Sequence, residues 1–301
     1  MPPFSSIDDA VQQLRAGEAV AMPTETVYGL AADAQNPLAV RRIYALKGRP
    51  AGHPVIVHLG PGEDPERWGT ITPTARTLID AFWPGPLTLI VAKRAHVLDE
   101  VTGGLPSVGL RMPSHPVAQE LLGKFGSGLA APSANRFGRI SPTTAEHVRM
   151  EFGDAVAVVD GGPSRVGVES TIVDTTNERP AILRLGGVLP DDISALVGPL
   201  GASSTVAPGT LKSHYAPLTS LQLSTDPERD KERLEALGLT VAVFAAPAVD
   251  VHARTLYAEL RRLDGLGVDV LIAERAQDGG LGAAINDRLT RAAHPFSTSD
   301  G

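Results

Sequence analysis

Three short stretches of the sequence concentrate hydroxyl, carboxylate and amide side chains next to predicted strand ends. The first, Pro23–Leu30, contains two threonine hydroxyls, a carboxylate and a phenol. It follows a predicted strand, Glu18–Met22, and α/β folds place ligands at the carboxyl ends of their strands. A turn with helix-capping threonines explains the same residues equally well. The stretch therefore predicts either a polar binding loop or a capped turn.

The second and third stretches continue this chemistry further along the chain. Ala130–Asn135 is a run of small residues, which lets a ligand approach the backbone closely. In an extended chain Ser133 and Asn135 face the same side, where they can bind a phosphate or position a hydrated cation. A small-residue turn before a helix is the equal alternative, and no base lies near enough in sequence to make Ser133 a nucleophile. The third stretch, Gly167–Asp174, brings further hydroxyls to a strand start.

Cations occupy positions that suit anion binding. Lys47 and Arg49 flank Gly48 at the end of a predicted helix, where they can either cap the helix or bind phosphate. Arg111 and Arg184 each interrupt an apolar strand, and an arginine inside a strand is seldom a solvated surface charge. We expect one of these two to bind a carboxylate and the other a phosphate. An ion pair at a sheet edge is the alternative for both.

The sequence lacks the residues of several common chemistries. It has no cysteine, which excludes disulfides, thiolate metal sites and a cysteine nucleophile, and which is typical of a cytoplasmic protein. The P-loop, HExxH and GxSxG motifs are absent. Residues 126–131 match the loose glycine pattern of dinucleotide sites. A predicted helix precedes them where such a site requires a strand, which argues against a dinucleotide site. His53 and His58 are five positions apart, so they face opposite sides of a strand and form a poor metal pair.

Length and composition predict a two-domain α/β protein. The chain has 301 residues, 43% of them hydrophobic and 20% charged, with 31 glycines and 25 prolines that punctuate apolar runs and capped helices. About nine strands with interleaved helices over residues 1–197 favour one large twisted mixed sheet. A capping box at Thr143–Glu146 predicts a helix that ends at Met150. No apolar run is long enough to span a membrane.

A domain boundary follows the predicted sheet. Residues 198–217 are rich in glycine, proline, serine and threonine, as linkers are. Beyond them the strand–helix pattern restarts and predicts a small parallel α/β (Rossmann-like) domain over residues 218–301. Its predicted elements are strand Thr240–Ala245, helix Ala253–Leu263, strand Val268–Ile272 and helix Leu281–Ala293.

Taken in order, these stretches resemble one family, the threonylcarbamoyl-AMP synthases, which are YrdC-like proteins, in their longer two-domain form. The resemblance covers nearly the whole chain. Lys47, Arg49, Ser133 and Asn135 match the family's KxR…SxN signature. The matching runs are PTETVYGLAADA (23–34), KGRPAGHPVIVH (47–58), WPGPLTLIV (83–91), VGLRMPSHP (108–116), APSANRFGRISPT (131–143), GVESTIVD (167–174), ILRLGG (182–187), PGTLKSHYAP (208–217) and GLGAAINDRLTRAA (280–293).

The resemblance implies a reaction and a set of site residues. The reaction joins L-threonine, bicarbonate and ATP, with magnesium bound to ATP, into L-threonylcarbamoyladenylate and releases pyrophosphate. A downstream transferase then uses the product to modify the tRNA adenosine next to the anticodon. The implied catalytic residues are Lys47, Arg49, Ser133 and Asn135. The implied threonine contacts are Thr26, His58, Arg111, Ala131 and Ser170, and the implied ATP contacts are Arg49, His53, Ser107, Ser133, Ser141, Arg184 and Tyr215. No protein ligand for magnesium and no oligomeric state follows from the sequence.

An RNA-binding module without synthase activity is the main alternative. In this alternative the basic motifs would bind RNA, and the sheet would be the surface on which the RNA lies. The net charge of −7 and the aromatic content of 4% argue against it, because phosphate contacts require a basic surface and base stacking requires aromatic side chains. A relative that only binds nucleotide or acts on carbamoyl groups is disfavoured by the intact KxR…SxN set.

The reaction that the resemblance implies requires protection from water, because carbamates and acyl adenylates hydrolyse readily. We therefore expect residues 198–217 to close over the site as a lid, with Tyr215 over the nucleotide.

Overall fold

The N-terminal part of the chain forms one ten-stranded sheet. The computed structural model of the protein describes residues 4–209, 213–245 and 248–294. The strands of this sheet are β1 (Val20–Met22), β2 (Gly29–Asp33), β3 (Ile56–His58), β4 (Gly69–Thr70), β5 (Leu87–Lys93), β6 (Ser107–Arg111), β7 (Leu129–Ala130), β8 (Ala157–Val158), β9 (Thr171–Asp174) and β10 (Ala181–Arg184). Their spatial order is β10-β9-β5-β6-β3-β7-β2-β1-β8, and β4 pairs with β5. The pairs β1–β8, β3–β6 and β5–β9 are parallel and the others antiparallel, which confirms the predicted mixed sheet.

Helices cover both faces of this sheet. They are α1 (Ile7–Arg15), α2 (Pro37–Lys47), α3 (Pro73–Phe82), α4 (Asp99–Thr102), α5 (Pro116–Phe125), α6 (Ala145–Phe152) and α7 (Pro190–Val197). Strand β1 shows how the two faces are filled, because successive side chains of a strand point to opposite sides. Val20 and Met22 pack in the core that contains α1 and α5, whereas Ala21 packs in the core that contains α2.

Local signals in the sequence set the ends of α2. The Asn36 side chain accepts hydrogen bonds from the amides of Leu38 and Ala39, so it caps the first turn. Gly48 ends the helix with φ of 64°, a left-handed conformation that glycine adopts without strain. The chain therefore turns directly between Lys47 and Arg49, which separates the environments of these two cations.

The capping box predicted at Thr143–Glu146 is wrong by one residue. The N-cap of α6 is Thr144, whose hydroxyl accepts the His147 amide at 3.3 Å. Thr143 lies one residue before the N-cap. It is buried there, and its amide donates to Nδ1 of His147. The helix also continues past Met150 to Phe152, because Phe152 is buried in the sheet core.

Replacing Asn36 with alanine should destabilise the protein by about 1 kcal/mol, because two amides of the first turn of α2 lose their acceptor. Urea unfolding at neutral pH would measure this as a lower midpoint with an unchanged slope. Asn36→Asp is the matched control, since aspartate caps a helix as well as asparagine does. Equal losses in the two variants would contradict the capping role.

The C-terminal part forms a separate three-stranded parallel sheet. Its strands are β11 (Ser220–Ser224), β12 (Val241–Phe244) and β13 (Val270–Glu274), and β13 lies in the centre. Its helices are α8 (Pro227–Glu235), α9 (Val249–Asp264) and α10 (Leu281–Ala292). The predicted parallel α/β domain is confirmed, but its element list was incomplete because β11 and α8 were missed. The sequence of α8 is strongly charged and buries only Leu234 among its nine residues, so it carries little apolar periodicity.

The apolar core of the C-terminal part extends into the first part. Tyr257 and Leu289 of α9 and α10 pack in one buried cluster with Val27, Val168 and Tyr215. The C-terminal part is thus packed against loops that connect strands of the large sheet. In the ranges that the structure describes, no helix has both the length and the apolar character needed to cross a membrane.

Candidate active site

A cavity lies over one face of the large sheet, where Ile56 and His58 of β3 and Arg111 of β6 line it. Arg111 ends β6, Arg184 ends β10 and Ser170 directly precedes β9, so the strand directions place these three lining residues at the same end of that face. The loop after β1, the loop after β7 and the linker complete the wall. The lining residues are Thr24, Thr26, Val27, Gly29, Arg49, Val55, Ile56, His58, Arg111, Ala131, Pro132, Ser133, Glu169, Ser170, Arg184, Pro208, Gly209, His214 and Tyr215.

Arg111 forms the centre of one polar group in this cavity. Its Nη2 lies 2.7 Å from Oε1 of Glu25, and both side chains are almost completely buried. Its Nη1 donates to the Thr26 hydroxyl at 2.8 Å, and its Nε donates to the Gly85 carbonyl at 3.3 Å. These contacts fix the plane of the guanidinium and leave donors on both terminal nitrogens for an anion in the cavity.

His58 lies beside this guanidinium. The two residues are direct partners in the parallel register of β3 and β6, so their side chains share one face of the sheet. Burial, with a smaller contribution from the Arg111 charge, lowers the pKa of His58 to about 3. His58 is therefore neutral at physiological pH and adds no charge next to the arginine.

Arg184 forms a second cationic group in the cavity wall. Its Nε and Nη2 donate to the Ser170 carbonyl at 3.1 and 3.0 Å, and Nη2 also donates to the Ser170 hydroxyl at 3.1 Å. The same hydroxyl lies 2.7 Å from that of Thr88. Nη1 donates to the Pro208 carbonyl at 3.0 Å, which ties the linker to β10. Burial lowers the pKa of Arg184, and it remains charged.

Arg49 and Lys47 have different relations to the cavity. Arg49 lines it, donates to the Pro54 carbonyl at 2.9 Å and has a pKa lowered to about 10 by burial. Lys47 lies behind the wall, where Nζ donates to the carbonyls of Ser133 and Asn135, both at 2.6 Å. Burial and the nearby Arg49 charge hold the pKa of Lys47 well below its ordinary value. Lys47 thus holds the loop that carries Ser133.

Several predicted site residues lie outside the cavity wall. The Asn135 amide donates to the Arg136 and Arg139 carbonyls. Ser107 begins β6, and the His53 ring packs edge-on against Phe137. The Ser141 hydroxyl donates to Oε1 of Glu169 at 2.7 Å. The structure therefore brings Thr26, Arg49, His58, Arg111, Ala131, Ser133, Ser170, Arg184 and Tyr215 together around one space, and it leaves Lys47, His53, Ser107, Asn135 and Ser141 around that group.

Two buried carboxylates of the site have no role predicted from the sequence. Glu25 pairs with Arg111, and Glu169 accepts from Ser141, Tyr257 and Arg288. Burial opposes the charge of Glu169, but the Arg288 and Arg184 cations outweigh it and lower the pKa to about 2. Both carboxylates lie inside runs that match the family, PTETVYGL and GVESTIVD. A glutamate flanked by apolar and hydroxyl residues was the sequence feature that could have predicted a buried carboxylate.

The buried histidines of the site predict a pH-dependent stability. Burial lowers the pKa values of His58 and His214 to about 3 in the folded protein, from an ordinary value of 6.5. Below pH 6.5 the unfolded chain binds protons that the folded chain does not, so stability falls as the pH falls. Going from pH 7.5 to 5.5 should cost about 1.4 kcal/mol for each of the two.

Chemical unfolding at the two pH values would test this prediction for His58. His58→Asn should remove about 1.4 kcal/mol from the pH-dependent loss. His96→Asn, at an exposed position, is the matched control and should keep the wild-type dependence. A His58→Asn variant with the wild-type pH dependence would contradict the assignment.

The described residues contain no ready-made metal site. Across residues 4–209, 213–245 and 248–294, no group of three or more histidine, aspartate and glutamate side chains could hold a metal ion. The buried carboxylates nearest the cavity already have cationic partners, Arg111 for Glu25 and Arg288 for Glu169. The donor set therefore does not fit a resident divalent cation, which prefers free carboxylate oxygens.

The fold and the cavity together define an α/β enzyme of the YrdC-like class with an appended small domain. A family model described as "Telomere recombination" matches residues 12–186, and one described as "Threonylcarbamoyl-AMP synthase, C-terminal domain" matches residues 185–294. The chain belongs to the threonylcarbamoyl-AMP synthase family, in the long form that carries both domains.

Individual relatives agree with this assignment. The threonylcarbamoyl-AMP synthase of Pyrococcus abyssi is 40% identical over 93% of this chain and 91% of its own length. That of Bacillus subtilis is 39% identical over 95% of this chain and 92% of its own length. The crystal structure of Pyrococcus abyssi Sua5 complexed with L-threonine has a TM-score of 0.89 and 37% identity, and the match covers 95% of this chain and 94% of that chain. The similarity thus extends through both sheets.

Proposed function

We propose that this chain condenses L-threonine, bicarbonate and MgATP into L-threonylcarbamoyladenylate and releases pyrophosphate. The single observation that carries the proposal is the convergence of two buried arginines, Arg111 and Arg184, on one cavity with hydroxyl groups between them. A separate transferase in the cytoplasm then takes the product to the tRNA adenosine next to the anticodon.

In this proposal threonine binds at the Arg111 end of the cavity. The free guanidinium donors of Arg111 pair with the threonine carboxylate, since a guanidinium fork matches a carboxylate in geometry. Thr26, Ser170 and neutral His58 then surround the amine and hydroxyl, and the Ala131 backbone adds a contact. A neutral His58 suits this position because a protonated imidazole would repel the threonine ammonium group.

ATP occupies the remaining space, with its phosphates toward the cations. Arg49, Ser133 and Arg184 line the wall and contact the phosphates, and Tyr215 covers the nucleotide. Lys47 and Asn135 affect ATP binding indirectly, because they fix the loop on which Ser133 lies. His53, Ser107 and Ser141 complete the outer ATP contacts, which requires a side-chain movement or a water between them and the ligand.

The proposed chemistry needs positioning and charge neutralisation more than a nucleophile. The threonine amine attacks the carbon of bicarbonate or CO₂ to give a carbamate, and water or a proton is lost. A carbamate oxygen then attacks the α-phosphorus of ATP, and the bond to pyrophosphate breaks. Arginine and hydroxyl donors hold these anions close together, which accounts for most of the catalysis in phosphoryl transfer.

Magnesium enters this reaction as part of its substrate. The cavity offers no free carboxylate, so the ion is carried by the ATP phosphates and waters instead of by a protein cage. Its chemistry is to neutralise phosphate charge. The residues of this chain add arginine donors around the same phosphates.

We further propose a division into a catalytic domain over residues 1–197, a linker over 198–217 and a C-terminal domain over 218–301. The linker acts as the lid of the cavity. Pro208 and Gly209 line the wall, and a Cβ atom at Gly209 would lie 2.4 Å from the Tyr215 hydroxyl. The predicted lid is thus supported on both sides of residues 210–212, which lie outside the described residues.

Pyrophosphate release from ATP tests the proposal. With purified protein and MgATP, release should require both threonine and bicarbonate, and omission of either should reduce it to background. Pyrophosphate release that requires neither threonine nor bicarbonate would indicate another adenylating or hydrolytic reaction. A folded protein that releases no pyrophosphate, and that binds RNA with a steep dependence on salt, would favour the binding-module alternative.

A further inference from the structure

The C-terminal domain reaches the cavity through one buried carboxylate. Glu169 lines the cavity, and its oxygens accept the Tyr257 hydroxyl of α9 at 2.8 Å and Nε of Arg288 of α10 at 2.8 Å. Ser141 supplies a third donor at 2.7 Å from the catalytic domain. All of these side chains are buried, so the ion pair between Glu169 and Arg288 is shielded from solvent.

Arg288 also holds a second segment of the catalytic domain. Its Nη2 donates to the Leu185 carbonyl at 2.7 Å, directly after Arg184. The two held segments touch each other, because a Cβ at Gly186 would lie only 2.2 Å from the Glu169 carbonyl oxygen. One arginine of α10 therefore clamps the segment that carries Ser170 and the segment that carries Arg184.

Tyr257 and Arg288 also pack against the aromatic ring of Tyr215 in the linker. Tyr257 stacks on Tyr215, with 5.7 Å between ring centroids and 27° between ring planes. The Arg288 guanidinium lies 5.3 Å from the centroid of the Tyr215 ring, within cation–π distance. Tyr257 and Arg288 thus contact the linker and the Glu169 segment at the same time.

We infer that Tyr257 and Arg288 are positioning residues of the synthase, so that the C-terminal domain sets the geometry of Ser170, Arg184 and Tyr215. The inference rests on the proposed function. Neither residue lines the cavity, and each acts through Glu169, Leu185 or Tyr215. If the Ser170 and Arg184 segments move apart, substrate and transition state lose contacts alike, and that raises KM with little change in kcat.

The test uses the full chain and two conservative variants. Tyr257→Phe removes the hydrogen bond to Glu169 but keeps the ring under Tyr215. Arg288→Lys keeps a cation beside Glu169, so that no buried charge is left unpaired, but one ammonium cannot reproduce the fork to Glu169 and Leu185. Each variant should raise the KM values for threonine and ATP by about tenfold.

Leu289→Ala is the matched control. Leu289 neighbours Arg288 in α10 and is fully buried in the C-terminal core, so its truncation lowers the thermal midpoint without touching Glu169. Its KM values should stay at the wild-type level. Wild-type KM values in both Tyr257→Phe and Arg288→Lys, or equal KM increases in Leu289→Ala, would overturn the inference.

The same assay separates this inference from the proposed function. If wild-type protein releases no pyrophosphate that depends on threonine and bicarbonate, the proposed function fails first. If wild-type protein is active, the KM values of the variants decide the positioning role alone. Calorimetric threonine binding without ATP gives a second readout, and it should weaken in Tyr257→Phe and Arg288→Lys but not in Leu289→Ala.

Discussion

Arg111→Lys is expected to raise the KM for threonine by about 100-fold, which corresponds to about 2.7 kcal/mol. The guanidinium is held by Glu25, Thr26 and Gly85, so its remaining donors point into the cavity with a fixed geometry. A lysine keeps one charge near Glu25 but cannot offer a planar fork to a second carboxylate. The affinity for ATP should change little, because Arg111 lies at the other end of the site.

Lysine is the informative replacement at this position. Arg111→Ala would leave the Glu25 carboxylate buried without its cation, and breaking a buried pair costs about 3–5 kcal/mol. Loss of activity in that variant could then reflect unfolding alone. Steady-state pyrophosphate release and calorimetric threonine binding would measure the effect in Arg111→Lys. Arg76→Lys, at an exposed ion pair with Glu66, is the control. An Arg111→Lys enzyme with wild-type threonine affinity would show that the carboxylate binds elsewhere.

Local chemistry made much of the fold predictable from the sequence. Asn36 and Gly48 delimit α2 through side-chain and backbone preferences that act within a few residues. The strand positions of Arg111 and Arg184 were likewise readable, because a charge inside an apolar run requires a buried partner or a ligand. Both arginines do lie in one cavity, although the sequence alone does not place them there.

The remaining features depend on contacts between distant parts of the chain. Glu169 and Arg288 are 119 positions apart, and Lys47 is 88 positions from the Asn135 carbonyl that it contacts. No periodicity encodes such pairs, because each depends on how the sheet and the helices pack. This is why Lys47, which was predicted either to cap its helix or to bind phosphate, is found on two carbonyls of another loop. Strand β11 was missed for a related reason, since only part of its surface is buried.

Lys47→Met is expected to reduce kcat/KM by about 100-fold, because a displacement of about 1 Å in a catalytic loop has an effect of that size. In the wild-type protein Nζ of Lys47 donates to the carbonyls of Ser133 and Asn135, at 2.6 Å each. Methionine fills the same space but leaves both carbonyls without this donor. The loop that carries Ala131 and Ser133 then loses its fixed position.

Threonine binding without ATP distinguishes this indirect role from a direct one. If Lys47 acts through the loop, Lys47→Met should weaken threonine binding even when no nucleotide is present, because Ala131 belongs to the same loop. If Lys47 instead leaves its carbonyls to contact a phosphate, only ATP-dependent parameters should change. Lys124→Met, at an exposed ion pair with Asp8, controls for the loss of a lysine charge. Unchanged threonine affinity in Lys47→Met, with a normal thermal midpoint, would rule out positioning through the loop and favour direct phosphate contact.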